Sequence, residues 1–142
     1  MTLVVDASVA AKWFLVEDDA PVEERLLASG ARLIAPELIL AEVGNTLFRI
    51  WLRGAIDEAH MDRALSRLPL TFSRLWPLTE LAADAAIISR ILPHPIYDCF
   101  YVALYWRTRA RLVTADRRLL SALLAVPAWS DAALHISELP AP

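Results

Sequence analysis

Short apolar runs alternate along the chain with longer segments of helical periodicity. Leu3-Val4-Val5 is an apolar run that stops at Asp6, the pattern of a buried strand. Ala7–Leu15 is helix-like. Glu17-Asp18-Asp19 with Pro21 marks a break and the start of another helix, which Gly30 stops. Arg32–Ala35 reads as a second short strand. Pro36 can occupy the first turn of a helix reaching about Arg53, with Gly54 as its stop. Asp57–Leu68 is amphipathic, opens on an acid suited to capping and ends at Pro69. Leu70–Leu75 has a mixed pattern compatible with a short strand, and Thr79–Leu92 is helical. Pro93 and Pro95 interrupt that helix, because proline lacks an N–H and restricts the residue before it. A new helix starts near Ile96 and runs to about Arg109. Leu112-Val113-Thr114 then reads as a strand, Arg117–Leu124 as a short helix and Leu134–Ile136 as a last strand.

Strand–helix alternation over the whole length predicts an α/β fold: a central, mostly parallel sheet of four to five strands, flanked by helices in three layers. No repeat, low-complexity segment or linker divides the 142 residues, so a single domain over 1–142 is expected.

Hydrophobic residues make up 57% of the chain, above the roughly 45–50% of an average globular protein. No apolar run reaches the roughly 18–20 residues of a bilayer span. The excess predicts a well-buried sheet, helices apolar on most faces, or an interface, with Thr46–Trp51 and Ala20–Leu27 as the segments to supply one. No basic leader with an apolar core opens the chain, so no signal peptide is expected. Cys99 is the only cysteine; it excludes an internal disulfide and a thiolate zinc cluster, and fits a reducing cytoplasm.

The net charge of −3 speaks against a large non-specific nucleic-acid groove. Its distribution says more. Lys12 is the only lysine, and Arg107, Arg109, Arg111, Arg117 and Arg118 crowd beside Asp116. The planar guanidinium suits phosphate, which makes Arg117 and Arg118 candidate phosphate contacts; the alternative for each arginine is a solvated helix end. Trp13, Trp51 and Trp76 fit core or interface better than nucleobase platforms.

The acids carry the chemistry. Glu42 is the only formal charge between Leu38 and Phe48, and Asp6 is alone among Met1–Ala11. Asp98 is alone between Ile91 and Trp106 if His94 is neutral. A carboxylate in such surroundings is costly to bury unless something pairs with it. In a parallel sheet, sites form beyond the carboxyl ends of the strands. Asp6 follows the first strand and Asp116 lies two residues past Thr114, so both are expected at one edge. Asp98 lies in the first turn of its helix. Glu42, Asn45, Thr46 and Arg49 share one helical face. Four converging carboxylates would raise one another's pKa values, and a hard divalent cation, magnesium or manganese, relieves this. Zinc is not expected, because His60, His94 and His135 have no ligand spacing. Each acid also has a structural alternative: Asp6 a helix cap, Asp98 a dipole partner, Asp116 a turn residue, Glu42 a pairing with an arginine.

Four stretches resemble the motifs of PIN-domain proteins, in particular VapC-type toxin ribonucleases. They are Val4-Val5-Asp6-Ala7-Ser8-Val9 with Lys12-Trp13-Phe14, Pro36-Glu37 leading to Glu42-Val43 and Asn45, Tyr97-Asp98 with Tyr101-Val102-Ala103-Leu104, and Leu112-Val113-Thr114-Ala115-Asp116-Arg117. The resemblance covers nearly the whole chain, in order. It implies that Asp6, Glu42, Asp98 and Asp116 bind magnesium or manganese, with Ser8, Asn45 and Thr114 as supporting or substrate-orienting groups. It further implies an endoribonuclease that leaves a 5′-phosphate and a 3′-hydroxyl, a homodimer, and a cognate antitoxin that wraps the toxin and places a basic side chain among the acids. Two alternatives stay open: a PIN-fold nuclease for structured DNA or RNA processing, and a catalytically silent binding module. Tyr105-Trp106 depart from the small residues more usual in the third motif.

Overall fold

The computed structural model describes residues 1–15 and 26–139. Five strands form one sheet in the order β3-β2-β1-β4-β5, and every pairing is parallel. They are β1 (Thr2–Val5), β2 (Arg32–Pro36), β3 (Arg74–Trp76), β4 (Arg111–Thr114) and β5 (Ala133–His135). The helices that frame the sheet include α1 (Ala7–Ala10), α2 (Leu38–Leu52), α3 (Glu58–Arg67), α4 (Leu78–Ile91), α5 (Ile96–Thr108) and α6 (Arg117–Leu124). The expected α/β sheet is therefore present, and parallel throughout.

The central strand is the first in sequence. Leu3, Val4 and Val5 are buried, as a parallel strand covered on both faces requires. Val4 pairs with Ile34 of β2 on one side and Leu112 of β4 on the other. The chain moves outward through β2 and β3, then crosses back to β4 on the far side of β1. The switch point thus lies between β1 and β4, where open parallel sheets place their sites.

α5 is buried on most of its surface, Cys99 and every residue from Tyr101 to Tyr105 included. It packs along α4 and touches β1, β2 and β4, which is where much of the apolar excess goes. α2 buries a stripe of Ile39, Val43 and Leu47 and leaves its polar face turned away from the core. α3 opens as expected, with the Asp57 side chain accepting from the His60 N–H. No helix among the described residues is long and apolar enough to cross a membrane.

Three boundaries differ from expectation. The helix after Asp6 is regular only to Ala10; Ala11–Phe14 tightens into a 3-10 turn and Leu15 is extended. Pro36 ends β2 instead of starting α2, because the Glu37 N–H continues the ladder by donating to the Trp76 carbonyl at 2.9 Å. The strand expected over Leu70–Leu75 forms only from Arg74, since Leu68–Thr71 closes into a 3-10 turn around Pro69. The helix expected between Glu17 and Gly30, with the Ala20–Leu27 contact segment, lies mostly outside the described residues; Gly30 does take the left-handed φ of 65° expected of a stop.

Candidate active site

Asp6 leaves β1 directly beside β4, its N–H donating to the Val113 carbonyl at 3.0 Å. Its side chain is 4% exposed. It stands at the N-cap position of α1 but makes no capping bond. Instead Oδ2 accepts from Ser8 Oγ and Thr114 Oγ1, both at 2.6 Å. The two hydroxyls are themselves held, Ser8 Oγ accepting from the Ala115 N–H and Thr114 Oγ1 from the Asp116 N–H. Each hydroxyl proton is thereby directed at Asp6, so one lattice of bonds ties the ends of β1 and β4 together. Burial raises the Asp6 pKa above its usual value; the two hydroxyls oppose the rise and the Asp98 charge adds to it.

Asp116 has a structural role different from the turn residue expected as its alternative, and it forms no ion pair with Arg117 or Arg118. It caps α6, with Oδ1 accepting from the Arg118 and Leu119 N–H groups at 2.8 and 3.2 Å. Asp98 sits in the first turn of α5, and His94 Nε2 lies 2.8 Å from its Oδ2. Burial raises the Asp98 pKa, His94 opposes this, and Asp116 adds to it. Glu42 is half-buried, and its pKa is pushed up to about 7, first by burial and then by the charges of Asp6 and Asp98. The buried Tyr101 hydroxyl donates to Glu42 Oε2 at 3.3 Å, a long bond. Burial and the Glu42 charge hold that hydroxyl protonated, far above the ordinary phenol range.

The four acids thus feel one another, but they are not equally close. Among the described residues, the group able to offer metal-ligand atoms all within 4.8 Å is His94, Asp98 and Asp116. Asp6 and Glu42 stand outside that trio and couple to it through charge. His94 is the residue the sequence reading set aside. Its signal was its place four residues before Asp98, hidden because Pro95 between them argues against a shared helix. Asn45 does not touch Asp6; with Ser8, Lys12, Glu42 and Arg49 it lines a groove of about 400 Å³. Arg117 and Arg118 line a second recess, of about 690 Å³, which His94 also borders.

The crowded arginines separate. Arg107 pairs with Asp84 at 2.6 Å, and Arg111 donates to the Asp131 carbonyl. Arg109 closes α5 in the left-handed conformation. Trp13, Trp51 and Trp76 are half-buried: Trp13 packs on Phe72, Trp51 stacks on Phe48, and Arg74 lies over the Trp76 ring.

These donors fit a divalent cation. Asp6, Glu42 and Asp98 are each displaced from ordinary ionisation by burial and by neighbouring acids, and a cation among them removes the repulsion. The set is hard oxygen with one imidazole nitrogen at its edge.

A PIN domain match spans residues 3–123, and the chain belongs to the PIN-domain family. Its relatives within that family are of the VapC type. It is 31% identical over 121 residues to Ribonuclease VapC3 of Pyrobaculum aerophilum, covering 84% of this chain and 92% of that one. It is 34% identical over 127 residues to Ribonuclease VapC9 of Mycobacterium tuberculosis, covering 82% and 87%. The crystal structure of PAE2754 from Pyrobaculum aerophilum shares the fold at a TM-score of 0.71 and 23% identity, over 98% of this chain and 92% of that one.

Proposed function

We propose that the chain is a magnesium- or manganese-dependent endoribonuclease, the toxin of a type II toxin–antitoxin pair. The observation that carries this reading is the meeting of Asp98, Asp116 and His94 at the switch point of the sheet, with Asp6 and Glu42 in electrostatic reach. The ribonuclease names of its relatives support the substrate class.

Asp6, Glu42, Asp98 and Asp116 would hold the cation. A bound divalent cation supplies an activated water and offsets charge on the attacked phosphate. Ser8 and Thr114 orient the Asp6 carboxylate by directing both hydroxyl protons at one oxygen. Asn45 orients substrate from the α2 side, and Arg117 and Arg118 contact phosphate. The partners are RNA, a second copy of the chain and a cognate antitoxin, and the compartment is the cytoplasm. Phe48 and Leu52, 43% and 63% exposed on α2, suit such protein contacts.

Purified protein should cut single-stranded RNA with Mn²⁺ or Mg²⁺, leave 5′-phosphate ends, and stop on chelation. No cleavage with either cation, together with no cation-dependent thermal shift, would leave the silent binding module. Preference for DNA flaps would leave the structure-specific nuclease.

A further inference from the structure

Two concavities flank the acids in the order that the sheet imposes. The groove of Lys12, Asn45 and Arg49 lies on the β2 side, and the 690 Å³ recess lies on the β4 side, between the end of α4 and α6. The recess shares His94 with the acid cluster, and the Arg118 charge reaches Asp98. Its walls are aliphatic, with Ile91 and Pro93 on one side and Ala125 and Val126 on the other. Arg117 and Arg118 are exposed at its edge, and neither has a carboxylate at ion-pairing distance among the described residues.

We propose that this recess receives one unstacked nucleoside of a single-stranded RNA, beside the phosphodiester that the acids address, with Arg117 and Arg118 on its phosphates. The inference rests on the nuclease reading above and adds the recess that one nucleoside occupies. An occupant continuous with that phosphodiester has to present negative charge to two guanidinium groups and an apolar face to aliphatic walls. A nucleotide does both. The volume is that of an ordinary small-molecule site, roughly 300–1,000 Å³. A base inside an A-form duplex cannot enter, because it stays paired and stacked. Aliphatic walls meet the face of a base without reading its edges, so this side tolerates any base.

The test uses Ser121→Trp, which fills the recess from an exposed position on α6. The KM for a labelled single-stranded RNA of mixed sequence should rise at least tenfold, with the Mn²⁺-induced thermal shift unchanged. A second variant, Arg117→Ala with Arg118→Ala, should flatten the dependence of log Kd on log salt by about 1.4, at roughly 0.7 per phosphate contact on a single strand. An active parent whose KM and salt slope survive both changes overturns the inference alone. An intact RNA KM in Ser121→Trp with a weakened antitoxin complex also overturns it, because the recess then belongs to a protein. A parent that cuts no RNA removes the nuclease reading and this inference with it.

Discussion

Glu42 shows how much of this protein is decided by single side chains. Its ordinary pKa of 4.5 rises to about 7 in the folded chain. Between those values the folded state holds a proton that the unfolded state has lost, so stability falls as pH rises through that window. The metal-free protein should therefore melt at a lower temperature at pH 7 than at pH 4.5, and Glu42→Gln should flatten that part of the profile. A parent profile that rises over the window would show Glu42 to be ion-paired instead. Cation binding has to displace the same proton, so affinity for Mn²⁺ should strengthen with pH through about 7, measurable by titration calorimetry. Asp98→Asn should abolish cleavage yet leave the metal-free protein at least as stable as the parent, since a repulsive charge is gone. His94 makes a separable prediction. It holds Asp98 Oδ2 at 2.8 Å, so His94→Ala should weaken cation binding about 10–100-fold, the usual effect of losing a ligand's supporting bond, with His94→Gln milder. Unchanged affinity in the alanine variant would make the contact incidental. Asp6, Glu42 and Asp98 stand out in the sequence because each is alone among apolar residues, and Asp116 by its place past a strand; Tyr101 as the Glu42 donor does not, since it comes from another helix 59 positions away.

Elements were legible where one physical rule acted alone. The apolar run of β1, the Asp57 cap of α3 and the glycine stop at Gly30 each follow one local preference, and each is present. The misplaced boundaries are places where two rules competed. Pro36 suits a helix start, but the ladder to Trp76 keeps it in the strand. Asp116 caps α6 and, under the proposed function, also holds the cation, so substitutions should separate the two. Asp116→Ala should cost about 1 kcal/mol of stability without metal, the usual value of an N-cap. Asp116→Asn keeps a capping oxygen and should hold that stability while still losing cation binding, read by denaturant unfolding and calorimetry in parallel. Equal instability of both variants would mean that the carboxylate charge, not the cap, supports the helix.

The fold class follows from strand–helix alternation, whereas the order of strands does not. Nothing local states that β4 crosses back to the far side of β1, yet this crossing makes the site. At the scale of the whole molecule, a cation that binds only the folded state stabilises it by mass action, about 2.7 kcal/mol at a hundredfold excess over Kd. That corresponds to a rise of on the order of 5–10 °C in Tm for a chain of this size. Scanning calorimetry with and without Mn²⁺ checks it, and an unmoved Tm would deny the acids a resident cation.

The bond from Thr114 to Asp6 joins residues 108 positions apart. Its consequence is one of timing. During synthesis Asp6 leaves the ribosome long before Thr114 and Asp116, so it has no hydroxyl from the one and no neighbour in the other until β4 has been made. Under the proposed function, cutting begins only once β4 has docked beside β1.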